Sequence, residues 1–259
     1  MIGYAHGTIE SLNECPNIFR GKALPALQPM PPLTLPLDAL VPFGAQWTAL
    51  GGNLSRSQPY SSLQLGDVFD QAIGGSLSVL LGGVPMVVPN ADSLIPSNPD
   101  CVEVGTFRVI GAVRPQNFDV GYRPDGVRFA HDTKTLNDKK SVGKNWQNMI
   151  NDLATEATNV HSRFPHAVVT FVCAIPSPCI GPATLAAMIE TLERLQRRVN
   201  VEDSLYMAEA ISFVLWDPAT GIIDPNLPDP ASPLRIERFH EKVEPAYVSR
   251  YKGLPPHSV

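Results

Sequence analysis

Residues 167–175, Ala-Val-Val-Thr-Phe-Val-Cys-Ala-Ile, carry no charge and are rich in β-branched and aromatic side chains. A short run of this kind fits a strand buried on both faces, and such a strand needs cover above and below. The flanking sequence supplies that cover. Val142, Trp146, Met149, Ile150, Leu153, Ala157 and Val160 form an apolar stripe at helical spacing, with Ser141 at the N-cap position. After the apolar run, Leu185, Met188, Ile189, Leu192 and Leu195 line the inner face of a helix over 184–199. Strands are predicted over 102–113 and 208–216, with a turn at 217–221. The strand-helix-strand-helix-strand order predicts an α/β sandwich, a mixed sheet flanked by helices. A further helix is predicted over 66–81 from Phe69, Ile73, Leu77 and Leu80, although Gly74-Gly75 weakens it.

Between the first strand and the 142–160 helix lies the stretch 117–134, which reads as a β-hairpin. Pro124-Asp125-Gly126-Val127 is the turn signal, since Asp-Gly suits a two-residue loop with positive φ at both positions. That loop pairs Pro124 with Val127 and, counting back, Asp119 with Asp132. Side chains alternate along a strand, so Asp119, Asp132 and Lys134 share a face. Like charges directly opposite destabilise a hairpin unless something compensates. A divalent cation between the carboxylates, with an ammonium beside it, is such a compensation. Asp125 is a poor substitute for Asp119. Seven positions on one strand span roughly 23 Å, and an odd offset puts Asp125 and Asp132 on opposite faces. The plainer reading is two exposed strand acids with Lys134 as their ion-pair partner. With 25 acids and seven lysines, about 0.7 acid-x-Lys triplets arise by chance. A second one, Asp138-Lys139-Lys140, sits in a polar loop.

The order strand, hairpin, Asp-x-Lys triplet, long helix and buried strand resembles the PD-(D/E)xK nuclease superfamily over residues 100–176. That resemblance implies a restriction-endonuclease-like core and a Mg²⁺-dependent DNA endonuclease, of the type II restriction or another defence class. Asp119 and Asp132 would bind Mg²⁺ with the main-chain carbonyl of Thr133, and Lys134 would position or activate the attacking water. Asp70 on the preceding helix is the candidate for an additional acid, with Asp67 behind it. A solvated helix face is the alternative for both. Lys144 and Gln147 on the polar face of the 142–160 helix, with Lys139 and Lys140, are the expected DNA contacts. His131 points to the other face of its strand and reads as a satisfied core histidine. The rival from another class is a non-catalytic nucleic-acid-binding or assembly module on the same fold. No P-loop, GxGxxG, G-x-S-x-G or HExxH appears to support an unrelated enzyme.

A chain of 259 residues with 44% hydrophobic and 17% charged residues suits a large soluble domain. The expected division is a proline-rich arm at 1–60, a core at 61–225 and a peripheral C-terminal segment at 226–259. The first arm wraps the core or forms a dimer contact through Leu35, Leu37, Leu40 and Val41. Two-fold symmetry in a homodimer would match a palindromic duplex. The net charge of −5 argues against a general polyanion binder, although residues 121–147 hold six basic and three acidic side chains. A second basic group, Arg194, Arg197 and Arg198, ends the 184–199 helix and suits its dipole. No signal-like or membrane-spanning run appears, and four cysteines lack zinc spacing, so a reducing cytoplasm is expected.

Overall fold

The structure, a computed structural model, describes residues 26–54, 59–96 and 98–257. Six strands form one sheet in chain order: β1 (Met86–Val87), β2 (Val102–Ile110), β3 (Pro115–Tyr122), β4 (Phe129–Thr135), β5 (Val168–Pro176) and β6 (Ala210–Trp216). β2, β3 and β4 form an antiparallel meander, whereas β1 runs parallel to β2, and β5 and β6 parallel to β4. Parallel neighbours need a crossover. Helix α3 (Val142–His161) makes the one from β4 to β5, and α4 (Pro182–Leu195) the one from β5 to β6. Three more helices complete the described chain: α1 (Val41–Ala49) and α2 (Ser62–Leu80) before the sheet, and α5 (His240–Tyr251) after it. Among the described residues no helix is long and apolar enough to cross a membrane.

Every residue of β5 and β6 is buried, as two-sided cover requires. The sides can be assigned from β4, whose side chains alternate. Thr133 meets Asp70 of α2, and His131 stands edge-on to Phe239 just before α5. Lys134 meets Glu156 of α3, which packs beside α4. The layers are therefore α2 and α5 on one face, α3 and α4 on the other.

Helix α2 starts four residues earlier than the apolar spacing predicts. Ser61 and Gln64 form a reciprocal capping box, Gln64 N–H donating to Ser61 Oγ at 3.4 Å and Ser61 N–H to Gln64 Oε1 at 3.1 Å. Gly74-Gly75 does not break it. A Cβ at Gly74 would stand 2.4 Å from Val104 Cγ2, so glycine there lets the helix lie close against β2. Ser141 occupies the position before α3, but its side chain makes no cap bond.

The predicted hairpin register is observed, with Val120 opposite His131, Gly121 opposite Ala130 and Tyr122 opposite Phe129. The predicted two-residue turn is not. Only Gly126 has positive φ, at 127°, and the strands stop pairing at Tyr122 and Phe129. The wider loop is held by Arg128, whose guanidinium grips the Asp125 carboxylate at 2.7 Å and lies 4.7 Å over the Tyr251 ring. Asp125→Ala strands this nearly buried cation. We expect a loss of about 1–3 kcal/mol in urea unfolding with the chemistry of the cleft unaffected.

The arm takes the intramolecular course. Gln28 N–H bonds Leu80 O, Met30 N–H bonds Glu244, and Met30, Leu33 and Leu40 are buried. Of the residues expected at a dimer contact, Leu40 is used internally and Leu35 is half-buried, while Leu37 and Val41 are exposed. Residues 1–25 and 55–58 of the expected arm lie outside the described residues. The C-terminal segment is not peripheral. Leu234, Phe239, Val243 and Tyr247 are buried and belong to the same core that reaches back to Met30. Nor is Arg198 a helix-end cation: α4 stops at Leu195, and Arg198 is buried with its Nε 3.0 Å from Glu209.

Candidate active site

The β3–β4 ladder opens beyond Val120 and His131. There the Asp119 carboxylate replaces a strand partner, accepting the Thr133 N–H at 3.1 Å. On the far side of β3 a register slip between Val104 and Phe107 bulges β2, with Gly105 at φ 126°. Bulges of this kind bend a strand and re-aim side chains. The result is a cleft of about 790 Å³ bounded by α2, the end of β4, the loop after it and the first half of α3. Asp70, Asp119, Thr133 and Lys134 line it, with Asp67, Asp138 and Asp152 and with the amides Asn145 and Asn148.

The four predicted residues Asp70, Asp119, Asp132 and Lys134 come together at the floor. Lys134 Nζ is in direct contact with Asp132 and lies 2.8 Å from Glu156 Oε1. Asp119 and Glu156 each approach Asp132 closely enough to share a proton with it. Asp70 reaches in from α2 through the other face of β4, accepting the Thr133 hydroxyl at 2.6 Å. Its place in the cluster decides against a solvated helix face, since only 4% of Asp70 is exposed. Asp67, one turn earlier, is exposed at the mouth.

Crowding of buried acids sets the electrostatics. Burial, then the neighbouring Asp132 and Asp70, push Asp119 up to about 9. Burial and the Asp132 charge push Glu156 up to about 8. Asp70 rises to about 7, chiefly by burial and against the Thr133 hydrogen bond. Burial also acts on Asp132, but Lys134 and the surrounding hydrogen bonds outweigh it and hold this carboxyl below its ordinary value. For Lys134, burial pulls the ammonium down, and Asp132 with Glu156 more than reverses it. Partial burial alone would have predicted a depressed lysine; the two carboxylates decide otherwise. His131 is fully buried and bonded at both ring nitrogens, and burial lowers it to about 3.

Glu156 was not legible as a site residue among the apolar positions of α3. It sits three residues after Leu153 and four before Val160, squarely on the buried stripe. A charge at such a position demands a partner, and that was the available signal. The expected DNA contacts fare differently. Lys139, Lys140, Lys144 and Gln147 are exposed, and none lines the cleft. The α3 residues that do are Asn145, Asn148, Met149 and Asp152, on the flank between the stripe and the opposite face. The local basic excess is also smaller than the sequence count. Arg123 is buried against Glu103, and Arg128 is spent on Asp125.

The donor chemistry suits a hard divalent cation, which takes carboxylate and carbonyl oxygens. Glu156 Oε2 is buried with no donor and Asp132 Oδ2 has only the Lys134 ammonium against it, and two facing carboxyl oxygens satisfy one another only with a proton between them. Because N–H and C=O of one strand residue point the same way, the Thr133 carbonyl also faces the open gap beside Asp119. The spacing, however, is closed. Among the described residues no three His, Cys, Asp or Glu side chains are disposed to hold a metal ion. Asp132 is turned onto Lys134, which occupies the carboxylate that a cation would need. A cation could be taken up only if Asp132 swung away from the ammonium.

No family model, curated protein or solved structure matches this chain.

Proposed function

We propose that the chain is a Mg²⁺-dependent endonuclease hydrolysing phosphodiester bonds in DNA, built on a restriction-endonuclease-like core. One observation carries the reading. Two acids and a lysine from adjacent strands, joined by an acid from each flanking helix, meet where the ladder opens into a cleft. Asp119, Asp132, the Thr133 carbonyl and Asp70 would hold the cation. Once bound, it would polarise the scissile phosphate, acidify the attacking water and stabilise the leaving oxygen.

Lys134 acts as a cation in this scheme, because its two carboxylate neighbours keep it protonated. It donates hydrogen bonds to the attacking water and the phosphate oxygens rather than removing a proton. Glu156 keeps the ammonium directed to the floor when Asp132 turns to the cation. Among the described residues five acids and one lysine line the cleft, so phosphate is repelled until a cation is present. Lys139, Lys140 and Lys144, exposed outside the cleft lining, would contact the flanking backbone.

The closed Asp132–Lys134 pair favours a second reading, a non-catalytic module in which the cluster is structural. Incubating supercoiled plasmid with purified protein separates the two. Nicked or linear product with Mg²⁺ and none with EDTA supports the nuclease; intact plasmid across divalent cations and DNA forms leaves the module. A type II restriction or other defence role in the cytoplasm completes the proposal. Cutting both strands calls for a homodimer, expected as a doubled mass in light scattering with or without duplex DNA. A monomer mass would point to nicking instead.

A further inference from the structure

The residue between Asp132 and Lys134 touches two of the other acids in the cluster. Thr133 gives its N–H to Asp119 at 3.1 Å and its hydroxyl to Asp70 at 2.6 Å. Behind it the contacts continue inward. His131 Nε2 lies 3.0 Å from the Thr133 hydroxyl oxygen, and His131 Nδ1 lies 2.9 Å from the Thr170 hydroxyl oxygen on β5. His131 and Thr170 are completely buried.

The proton count gives this chain one direction. A threonine hydroxyl has a single proton. Thr133 spends it on Asp70, so toward His131 it can only accept, and Nε2 must carry the ring proton. A neutral imidazole then has a bare Nδ1, which accepts from Thr170. Two further observations agree. Nε2 stands 3.7 Å from Asp70 Oδ1, where an N–H faces the carboxylate favourably, and the completely buried ring has none of the solvent that a charged form needs.

We propose that Thr133 and His131 are positioning residues: the one-way chain Thr170 to His131 to Thr133 fixes the Asp70 carboxylate at the cleft floor, and Thr133 sets its spacing from Asp119. The middle residue of the triplet is then not free. It needs a hydroxyl, which serine supplies and valine does not. The ligand is a hard divalent cation, and the inference rests on the reading of Asp70 as one of its ligands. Holding a ligand in this way is worth about 10- to 100-fold in metal affinity when the support is removed.

The test has two arms. ¹⁵N-labelled histidine in the wild-type protein at pH 9 is expected to report the Nε2–H tautomer of His131. An Nδ1–H tautomer overturns the chain without reference to any activity. In titration calorimetry with Mg²⁺, Thr133→Val is expected to weaken binding about 10-fold or more, and Thr133→Ser to stay within about threefold of wild type. Equal affinity for wild type and Thr133→Val overturns the positioning role. Should Thr133→Val fail to fold, serine rescue fails as a comparison and the tautomer decides. If Mg²⁺ binding and the serine–valine split hold while plasmid stays intact, the nuclease reading fails alone. If wild type binds no Mg²⁺, both fail.

Discussion

Asp132→Asn is expected to lower Mg²⁺-dependent plasmid cleavage about 10³-fold, with the far-ultraviolet circular dichroism unchanged. The substitution keeps the shape of the side chain and removes the charge at the centre of the cluster. Asp132 is the group that both Asp119 and Glu156 approach and that Lys134 holds. Lys134 keeps Glu156 as a partner in the variant, so the fold is not left with a stranded cation. Lys134→Ala should cost as much in rate and more in stability, about 3 kcal/mol, because it abandons two buried carboxylates. Without Mg²⁺, Asp132→Asn should bind DNA more tightly than wild type, having one less charge to repel phosphate. Cleavage by Asp132→Asn within a few-fold of wild type would remove Asp132 from the chemistry and leave the cluster as a structural ion pair.

The parts that were legible in the sequence are those fixed by period and parity. The uncharged 167–175 run announced a strand covered on both faces, and β5 is one. Counting back from Asp125-Gly126 put Asp119 beside Asp132 even though the turn itself is wider, because the loop takes the same number of residues from each strand and so leaves the register unchanged. The turn was misread because Arg128 and Tyr251 compete for the loop, and neither contact has a local signature. Asp70 could be proposed only by resemblance, since its burial depends on where α2 crosses β4. Glu156 was hidden by the stripe that surrounds it. The basic count over 121–147 misled for a tertiary reason. Arg123 finds Glu103 twenty positions away, which no window on the sequence would pair. Likewise the proline-rich arm and the C-terminal segment read as accessory, yet Met30 and Glu244 meet one another over the core.

The cluster should also make the protein most stable in mild acid and make Mg²⁺ matter most in alkali. Folding raises Asp119 from 3.8 to about 9, Glu156 from 4.5 to about 8 and Asp70 from 3.8 to about 7. Between about pH 4 and pH 9 the folded protein therefore holds more protons than the unfolded chain, and stability must fall as pH rises through that window. Asp132 runs the other way. Its folded value is lowered, so its contribution is complete above 3.8 and is lost only in stronger acid. The metal-free melting temperature should peak near pH 4 and decline steadily toward pH 9. A cation must displace the shared protons to reach the carboxylates, so calorimetry in buffers of different ionisation enthalpy should show proton release on Mg²⁺ binding, with affinity rising from pH 6.5 to 9. Asp119→Asn removes the highest of the three raised groups. At pH 9 without metal it should be more stable than wild type by about 1–2 kcal/mol, while neither binding nor cutting with Mg²⁺. A melting temperature flat from pH 5 to 9, or Mg²⁺ binding without proton release, would show that these carboxylates are already ionised in the folded protein, and the closed, proton-sharing cluster would have to be abandoned.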